Sequence, residues 1–532
     1  MQAQGEAALS WCRRHSYLLA VIAITLLAAV VRIYRIESFP PGLHGDEAWT
    51  GLDARRVLDE GWIGPYVPSA LGQPSGPLYW TALVFKVLGD GLLQLRVSMA
   101  LLGIATVPLT YWAARHMFDR RTALVAAVLM AFMGWHILFS RTAFMVTAQP
   151  LLEVIFLGTL FTAYKRESYV LYAIAGVVLG LGVYTYNADP VFVGAAVVFA
   201  FVLLITERKR WRELAPRLAL MLAVAFVVAL PLISYIRDEK NDYLAHHRLI
   251  SVLYKPEFED TNLPGKARVL SDRTVDWVKL MTIEPKTDYT DATGNTPITD
   301  RLTLALLLIG VGFCLKLRRP GHLALLVFLL VLPVSAIVTL DGAARRSLGM
   351  APFVAILAAL PLAKGWEWAE LSIGDKRLVG RLVLAAVLLV IAVVNVRTYF
   401  EDAGDSVDAK WVYVEQLAEA SKYIESLPDH PYVYFYSSRW GYDYETRRYL
   451  APDLKGEDRS DEFGKRLVNG VEELPELTGY DARVPSVVVL LPAYIDRFEA
   501  IESEYPGGLK HTGRNRQGDV LFVAYTLPIV RR

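Results

Sequence analysis

The chain has 532 residues, 54% of them hydrophobic, above the roughly 45–50% usual for soluble proteins, so an ordinary water-soluble protein is excluded for most of its length. A formal net charge of +1 gives no basic surplus for nucleic acid, which is not expected as a partner. Only two cysteines are present, Cys12 and Cys314; both fall on the cytoplasmic side of the topology below, and no disulfide framework is expected.

The apolar excess is concentrated in blocks of about 17–25 residues, the length that crosses a bilayer as a helix. The first block, 17–35, follows Arg13, Arg14 and His15 and ends in Arg32, Arg35 and Glu37 without a small-residue cleavage site; it reads as an uncleaved span. Further blocks at 92–114, 122–140, 144–164, 169–187, 190–206, 217–236, 301–316, 322–340, 347–363 and 380–396 bring the expected total to about eleven spans. Basic residues cluster in alternate connections: Arg115, Arg120 and Arg121; Lys165 and Arg166; Arg208 to Arg212; Lys316 to Arg319; Lys364, Lys376 and Arg377. The positive-inside rule makes these cytoplasmic, with the N-terminus. Residues 77–88 are apolar but too short to span, and suit an interfacial helix. Loops 36–91 and 237–300 and the tail 397–532 then lie outside the cytoplasm. The expected fold is an all-α polytopic membrane domain, 1–396, with a small extracytoplasmic α/β domain, 397–532. In the latter, 409–427 reads as an amphipathic helix and 432–436, 486–491 and 520–525 as buried strands.

The first outer loop carries Pro40-Pro41-Gly42-Leu43-His44-Gly45-Asp46-Glu47-Ala48-Trp49. Asp46 reads either as the N-cap of a helix over 47–60 or as a general base held near the membrane surface. Gln73-Pro74-Ser75-Gly76-Pro77-Leu78-Tyr79-Trp80 opens the interfacial helix, a Pro-started helix with belt aromatics on the plainer reading. Arg96, Arg141, Arg345 and Arg346 all map to the outer side, where charge bias normally depletes basic residues. Each alone could be a snorkelling anchor; together they suit a phosphate. Glu153 falls near mid-membrane, as a functional group or a structural pair. His246, His247 and Arg248 in the second outer loop receive no role. Among the tail aromatics, 432–436 reads as core, whereas Trp440-Gly441-Tyr442-Asp443-Tyr444 stays open between core and sugar stacking.

These pieces occur in a familiar order. Asp46-Glu47, Gly76-Pro77-Leu78-Tyr79, Leu95-Arg96-Val97-Ser98-Met99, Ala114-Arg115-His116-Met117-Phe118, Ser140-Arg141, Gly182-Val183-Tyr184-Thr185-Tyr186 and Arg345-Arg346-Ser347-Leu348 before Pro352 form a series over 17–365. It resembles the membrane glycosyltransferases of the protein O-mannosyltransferase superfamily, which includes the bacterial lipid A aminoarabinose transferases. The resemblance implies the GT-C fold, residence in the inner or plasma membrane, a polyprenyl-phosphate sugar donor and an extracytoplasmic acceptor that is protein, lipid or glycan. It implies Asp46, beside Glu47, as the base for inverting attack on the anomeric carbon. Arg345 or Arg346 would neutralise the departing phosphate, with Arg141 and Arg96 as further phosphate ligands. His44, Tyr79, Tyr184, Tyr186, Asn187 and Glu153 would line the pocket. No cofactor is required on this reading; two adjacent acids make a thin divalent-metal site, which is not favoured. One departure is Pro74-Ser75-Gly76-Pro77, where many relatives carry a charged residue or histidine before Pro-Pro-Leu.

Candidate catalytic residues all map outside, whereas nucleotide sugars are cytoplasmic, and no Gly-rich nucleotide loop follows a strand. A lipid-linked donor reconciles the two. The rival readings are a transporter, which calls for internal repeats not seen here, and a noncatalytic lipid-glycan-binding scaffold. Within enzymes, the rivals are an oligosaccharyltransferase and a glycan ligase.

Overall fold

The computed structural model describes residues 15–284, 291, 296–340, 343–372, 374–402, 406–460, 467–468, 471–472, 477 and 480–529. Two compact units are formed, one of Met1–Ile36 with Asp53–Gly404, the other of Glu37–Leu52 with Asp405–Arg532.

In the first unit every apolar block forms helix. Among the described residues, seven helices are long and apolar enough to cross a membrane, or eight when Arg120–Phe132 and Gly134–Ser140, bent by 58°, count as one span. This is fewer than about eleven, and the reason is length. Helices Tyr169–Gly182, Pro190–Thr206 and Arg301–Leu317 have 14, 17 and 17 residues. At 1.5 Å per residue they reach only about 21–26 Å, against a hydrocarbon core of about 30 Å. The expected interfacial segment is helix Gly76–Leu88. The bend at Met133 has a local cause: the Gly134 N–H leaves the helical ladder and donates to Asn395 Oδ1 at 2.9 Å, while Asn395 Nδ2 donates to Asp300 Oδ2 at 3.0 Å.

Apolar side chains gain little by leaving lipid for each other, so small residues set helix contacts here. Gly176 and Gly180 bring Tyr169–Gly182 against the backbone of Trp211–Asp238; a Cβ on Gly176 would meet the Met221 carbonyl, and one on Gly180 would lie 2.7 Å from the Ala225 carbonyl. Gly176→Ala is therefore expected to destabilise the protein by about 1–3 kcal/mol, read as a lowered unfolding temperature in detergent; an unchanged value contradicts this packing. Elsewhere Phe328 stacks on Phe353 at 4.8 Å and gathers Phe156, Phe192 and Phe199 around it.

The second unit is built on a five-stranded sheet ordered Gly456–Asp458, Tyr432–Tyr436, Ser486–Leu490, Val520–Thr526, Leu509–Arg514. The first three strands are parallel, and the last two add antiparallel. Side chains alternate between faces as strand geometry requires. Val433, Phe435, Val487, Val489, Phe522 and Ala524 pack with Leu417 and Ile424 of one helix; Tyr434, Tyr436, Val488, Leu490, Val523 and Tyr525 pack with Phe498 and Ile501 of another. The helix expected over 409–427 is broken into Val407–Val412 and Glu415–Glu425 because Val414 adopts φ 57°, which no α-helix tolerates.

Unlike the sequence division at 396/397, the compact units place Glu37–Leu52 with the C-terminal sheet. The contacts responsible are specific. Thr446 Oγ1 donates to the Leu43 carbonyl at 2.9 Å, the Tyr413 ring meets His44 edge-on, and Gly51 lies against the Tyr449 ring with no room for a side chain.

Candidate active site

The acidic pair opens helix Gly45–Glu60, whose first half belongs to the second unit. Asp46 does not make the N-cap. His44 does: its Nδ1 accepts the Asp46 N–H at 3.0 Å, and Glu47 Oε1 accepts the His44 N–H at 3.2 Å. This is a reciprocal capping box with histidine in place of the usual serine or threonine. Accepting at Nδ1 leaves the proton of the neutral ring on Nε2. Glu47 is fully buried, whereas the Asp46 side chain is 46% exposed in a first turn whose dipole favours an anion. His44→Ala is expected to cost about 0.5–2 kcal/mol and His44→Asn to recover most of it, by thermal unfolding; equal losses for both variants contradict the cap.

The open aromatic run of the tail lies beside this turn. A Cβ on Gly45 would come 2.9 Å from the Tyr444 hydroxyl. Burial, Glu445 and Asp46 all raise the Tyr444 pKa, so the phenol keeps its proton near the acid. Glu445 accepts from Trp49 Nε1 at 2.8 Å, and the Arg448 guanidinium lies 5.2 Å from the Trp49 ring centre. Tyr444 belongs to the run left open between core and sugar stacking, whereas Glu445 was not singled out in the sequence. Aromatics in a soluble-looking tail carry no signal of which loop they meet.

In the first unit, Arg345 and Arg346 lie in the short helix Ala343–Arg346; Asp341 and Gly342 are outside the described residues. Arg345 Nε donates to Asp291 Oδ1 at 3.0 Å, and its guanidinium lies 4.8 Å from the Phe144 ring centre. Asp291 is fully buried. Arg346 neighbours His247, and burial together with that cation holds the imidazole below its usual pKa. Three residues on, Gly349 packs on Glu153 and Gln149. Glu153 is fully buried. Gln149 Nε2 donates to its Oε1 at 3.2 Å, its Oε2 has no partner in the structure, and Asp189 is its electrostatic neighbour. Asp189, before the proline that starts helix Pro190–Thr206, has a buried Oδ1 likewise without a hydrogen-bond partner among the described residues and makes no side-chain cap to that helix. An Asp-Pro at a helix start reads as a cap, which is why sequence reasoning passed over it.

The other candidates serve different ends. Arg141 and Arg96 are fully buried. Arg141 donates to the carbonyls of Val31, Arg32 and Tyr34 at 2.7, 3.0 and 2.8 Å, and Arg96 to the Ile36 carbonyl at 3.1 Å. Both thus bind the chain leaving the first span, whose terminal carbonyls have no intrahelical donors. Tyr79 accepts the Ile63 N–H at 2.9 Å and donates to the Gly64 carbonyl at 3.1 Å, stacked on Trp62 at 5.2 Å. Tyr184 donates to the Val228 carbonyl at 2.8 Å, and Asn187 Nδ2 to the Gly72 carbonyl at 2.9 Å. Tyr186 is half-buried beside them. Asn187 thus ties residue 72 to the 184–187 turn, Tyr184 ties that turn to helix Trp211–Asp238, and Tyr79 ties residues 63–64 to helix Gly76–Leu88. Among the described residues, no group of three or more His, Cys, Asp or Glu side chains could hold a metal ion.

The family model described as dolichyl-phosphate-mannose-protein mannosyltransferase matches residues 73–235, a stretch with Arg96, Arg141 and Glu153 but not Asp46 or Arg345. By sequence, no curated protein matches the chain. Among solved structures, the archaeal oligosaccharyltransferase AglB from Archaeoglobus fulgidus, in complex with an inhibitory peptide and a dolichol-phosphate, is similar with TM-score 0.57 at 14% identity, over 96% of this chain and 74% of its own. ArnT from Cupriavidus metallidurans bound to undecaprenyl phosphate is similar with TM-score 0.57 at 14% identity, over 96% of this chain and 98% of its own. Such identities speak for the fold. Along nearly its whole length the chain therefore has the GT-C fold of these two proteins, and residues 73–235 match the mannosyltransferase family model.

Proposed function

We propose that the protein transfers a monosaccharide from a polyprenyl-phosphate carrier to an acceptor on the extracytoplasmic side of the membrane, with inversion. The observation that carries this reading is the half-exposed Asp46 carboxylate, at a helix N-terminus capped by His44 and Glu47 instead. A carboxylate presented this way can take the acceptor's proton as its nucleophilic atom attacks the anomeric carbon. The bond from that carbon to the phosphate oxygen then breaks, and the electron pair leaves with the polyprenyl phosphate. That leaving group is a weak base and needs a cation more than a proton. Arg345 or Arg346, adjacent in helix Ala343–Arg346, supplies that cation.

Support for the lipid-phosphate donor comes from the family match and from the lipids bound in the two neighbours. The equal likeness to AglB keeps an oligosaccharyltransferase as the second reading. Purified protein given polyprenyl-phosphate monosaccharides and polyprenyl-diphosphate oligosaccharides in parallel separates them. We expect sugar transfer, with release of polyprenyl phosphate, from the first class only; transfer from the second class alone overturns the assignment.

A further inference from the structure

Within the first unit, a cavity of about 980 Å³ lies where six helix ends meet. Helix Leu92–Met117 runs from Arg96 to this cavity, about 30 Å by helical rise. Helix Ala351–Leu371, which begins five residues after Arg346, likewise reaches the cavity only at Leu360 to Glu367, so the cavity is distinct from a site built on Arg96, Arg345 or Arg346. Its lining holds six cations, Arg120, Arg121, Lys165, Lys316, Arg319 and Lys364, against two acids, Asp119 and Glu367. Both acids are engaged: Asp119 caps helix Arg120–Phe132 through the Arg121 and Thr122 N–H groups, and Glu367 pairs with Lys364 at 2.7 Å. Among the described residues, Arg120, Arg121, Lys165, Lys316 and Arg319 form no ion pair.

Three of these cations oppose the helix dipole. Arg120 and Arg121 occupy the first turn of their helix, and Arg319 the N-cap of Pro320–Val331, positions that favour negative charge. In the wall, His322 is 6% exposed with a buried Nδ1 that has no hydrogen-bond partner among the described residues. The lining also has an apolar part, with Phe118, Phe161, Phe313, Leu317 and Leu360.

We infer that this cavity binds the headgroup of an anionic phospholipid in the leaflet opposite the transfer site. A phosphodiester answers the cations that form no ion pair and the N-terminus of helix Pro320–Val331, which has no side-chain cap, and acyl chains cover the phenylalanines and leucines; a free phosphate leaves that apolar half uncovered. The basic side is the cytoplasmic one under the charge rule, whose leaflet carries anionic lipid.

The test is native mass spectrometry of the detergent-purified full chain, exposed to phosphatidylglycerol or phosphatidylcholine of matched chains. Wild type is expected to retain phosphatidylglycerol at least about tenfold better. The variant Lys165→Gln/Lys316→Gln/Arg319→Gln loses that preference. The control Arg208→Gln/Lys209→Gln/Arg212→Gln, basic but outside the cavity lining, keeps it. Equal retention of both lipids by wild type overturns the inference. So does a cavity variant that binds like the control, or displacement of phosphatidylglycerol by glycerol 3-phosphate at equal concentration. Should the triple variant fail to fold, thermal unfolding of wild type decides: a higher midpoint with phosphatidylglycerol than with phosphatidylcholine supports the site, and identical midpoints refute it.

Discussion

Asp46→Asn is expected to lower sugar transfer by about 10²- to 10⁴-fold while polyprenyl-phosphate donor still binds with wild-type affinity. Asparagine keeps the shape of the side chain and removes its negative charge, and with it the ability to take a proton. The helix start survives, because His44 and Glu47 make the cap. The thermal midpoint should therefore stay put while kcat falls. Glu47→Gln should behave differently. Glu47 is fully buried and accepts the His44 N–H, so its loss is expected in stability first. A variant at Asp46 with wild-type kcat, or one whose activity falls only in step with unfolding, excludes the carboxylate as base.

Arg141→Met is expected to destabilise the protein by at least about 3 kcal/mol, since hydrogen bonds to charged groups are worth about 1.5–3 kcal/mol each and orphaned buried carbonyls add their own cost. Three carbonyls at the end of the first span lose their donor. The Tyr399 hydroxyl, 3.2 Å from Nε, and the Phe400 ring, 4.7 Å from the guanidinium carbon, lose the group they pack on. Whatever folded fraction remains should keep its KM for donor. A variant of wild-type stability with a raised donor KM assigns Arg141 to the phosphate instead. The same reasoning separates it from Arg346, where substitution is expected to act on turnover.

Much of the architecture was legible in the sequence because it rests on short-range patterns. Apolar blocks announce helices by composition, and the strands around Tyr432, Ser486 and Val520 announce themselves by β-branched and aromatic runs, so both appear where expected within a few residues. What failed depends on single residues. Nothing in a run of apolar letters shows that Asn395 will capture the Gly134 N–H and bend a span, or that Val414 will turn left-handed and cut a helix in two. Arg32, read as a flanking charge closing the first block, is fully buried, with Nη1 donating to the Ala131 carbonyl at 2.8 Å and Nη2 beside His136 at 2.8 Å.

The candidate site was legible in its residue types and less so in their partners. The acidic pair stood out through its Pro/Gly setting, but histidine is not among the favoured N-caps, so its part in freeing Asp46 from capping was hidden. Arg345 stood out as a cation on the depleted side; its partner Asp291 is one acid among many in a polar loop. The grouping of Glu37–Leu52 with a sheet nearly four hundred residues later rests on contacts such as Thr446 with Leu43, which no local pattern encodes.

Sidedness labelling bears most directly on the claim that Asp46 and the Arg345–Arg346 turn serve one reaction outside the cytoplasm. In a Cys12→Ser/Cys314→Ser background, single cysteines replace Trp62 and Leu340, 70% and 40% exposed, and exposed Lys209. Cells are then treated with an impermeant maleimide. The account predicts that Trp62→Cys and Leu340→Cys both react from outside in intact cells, and Lys209→Cys only after permeabilisation. Reaction of Trp62→Cys and Leu340→Cys from opposite faces contradicts it.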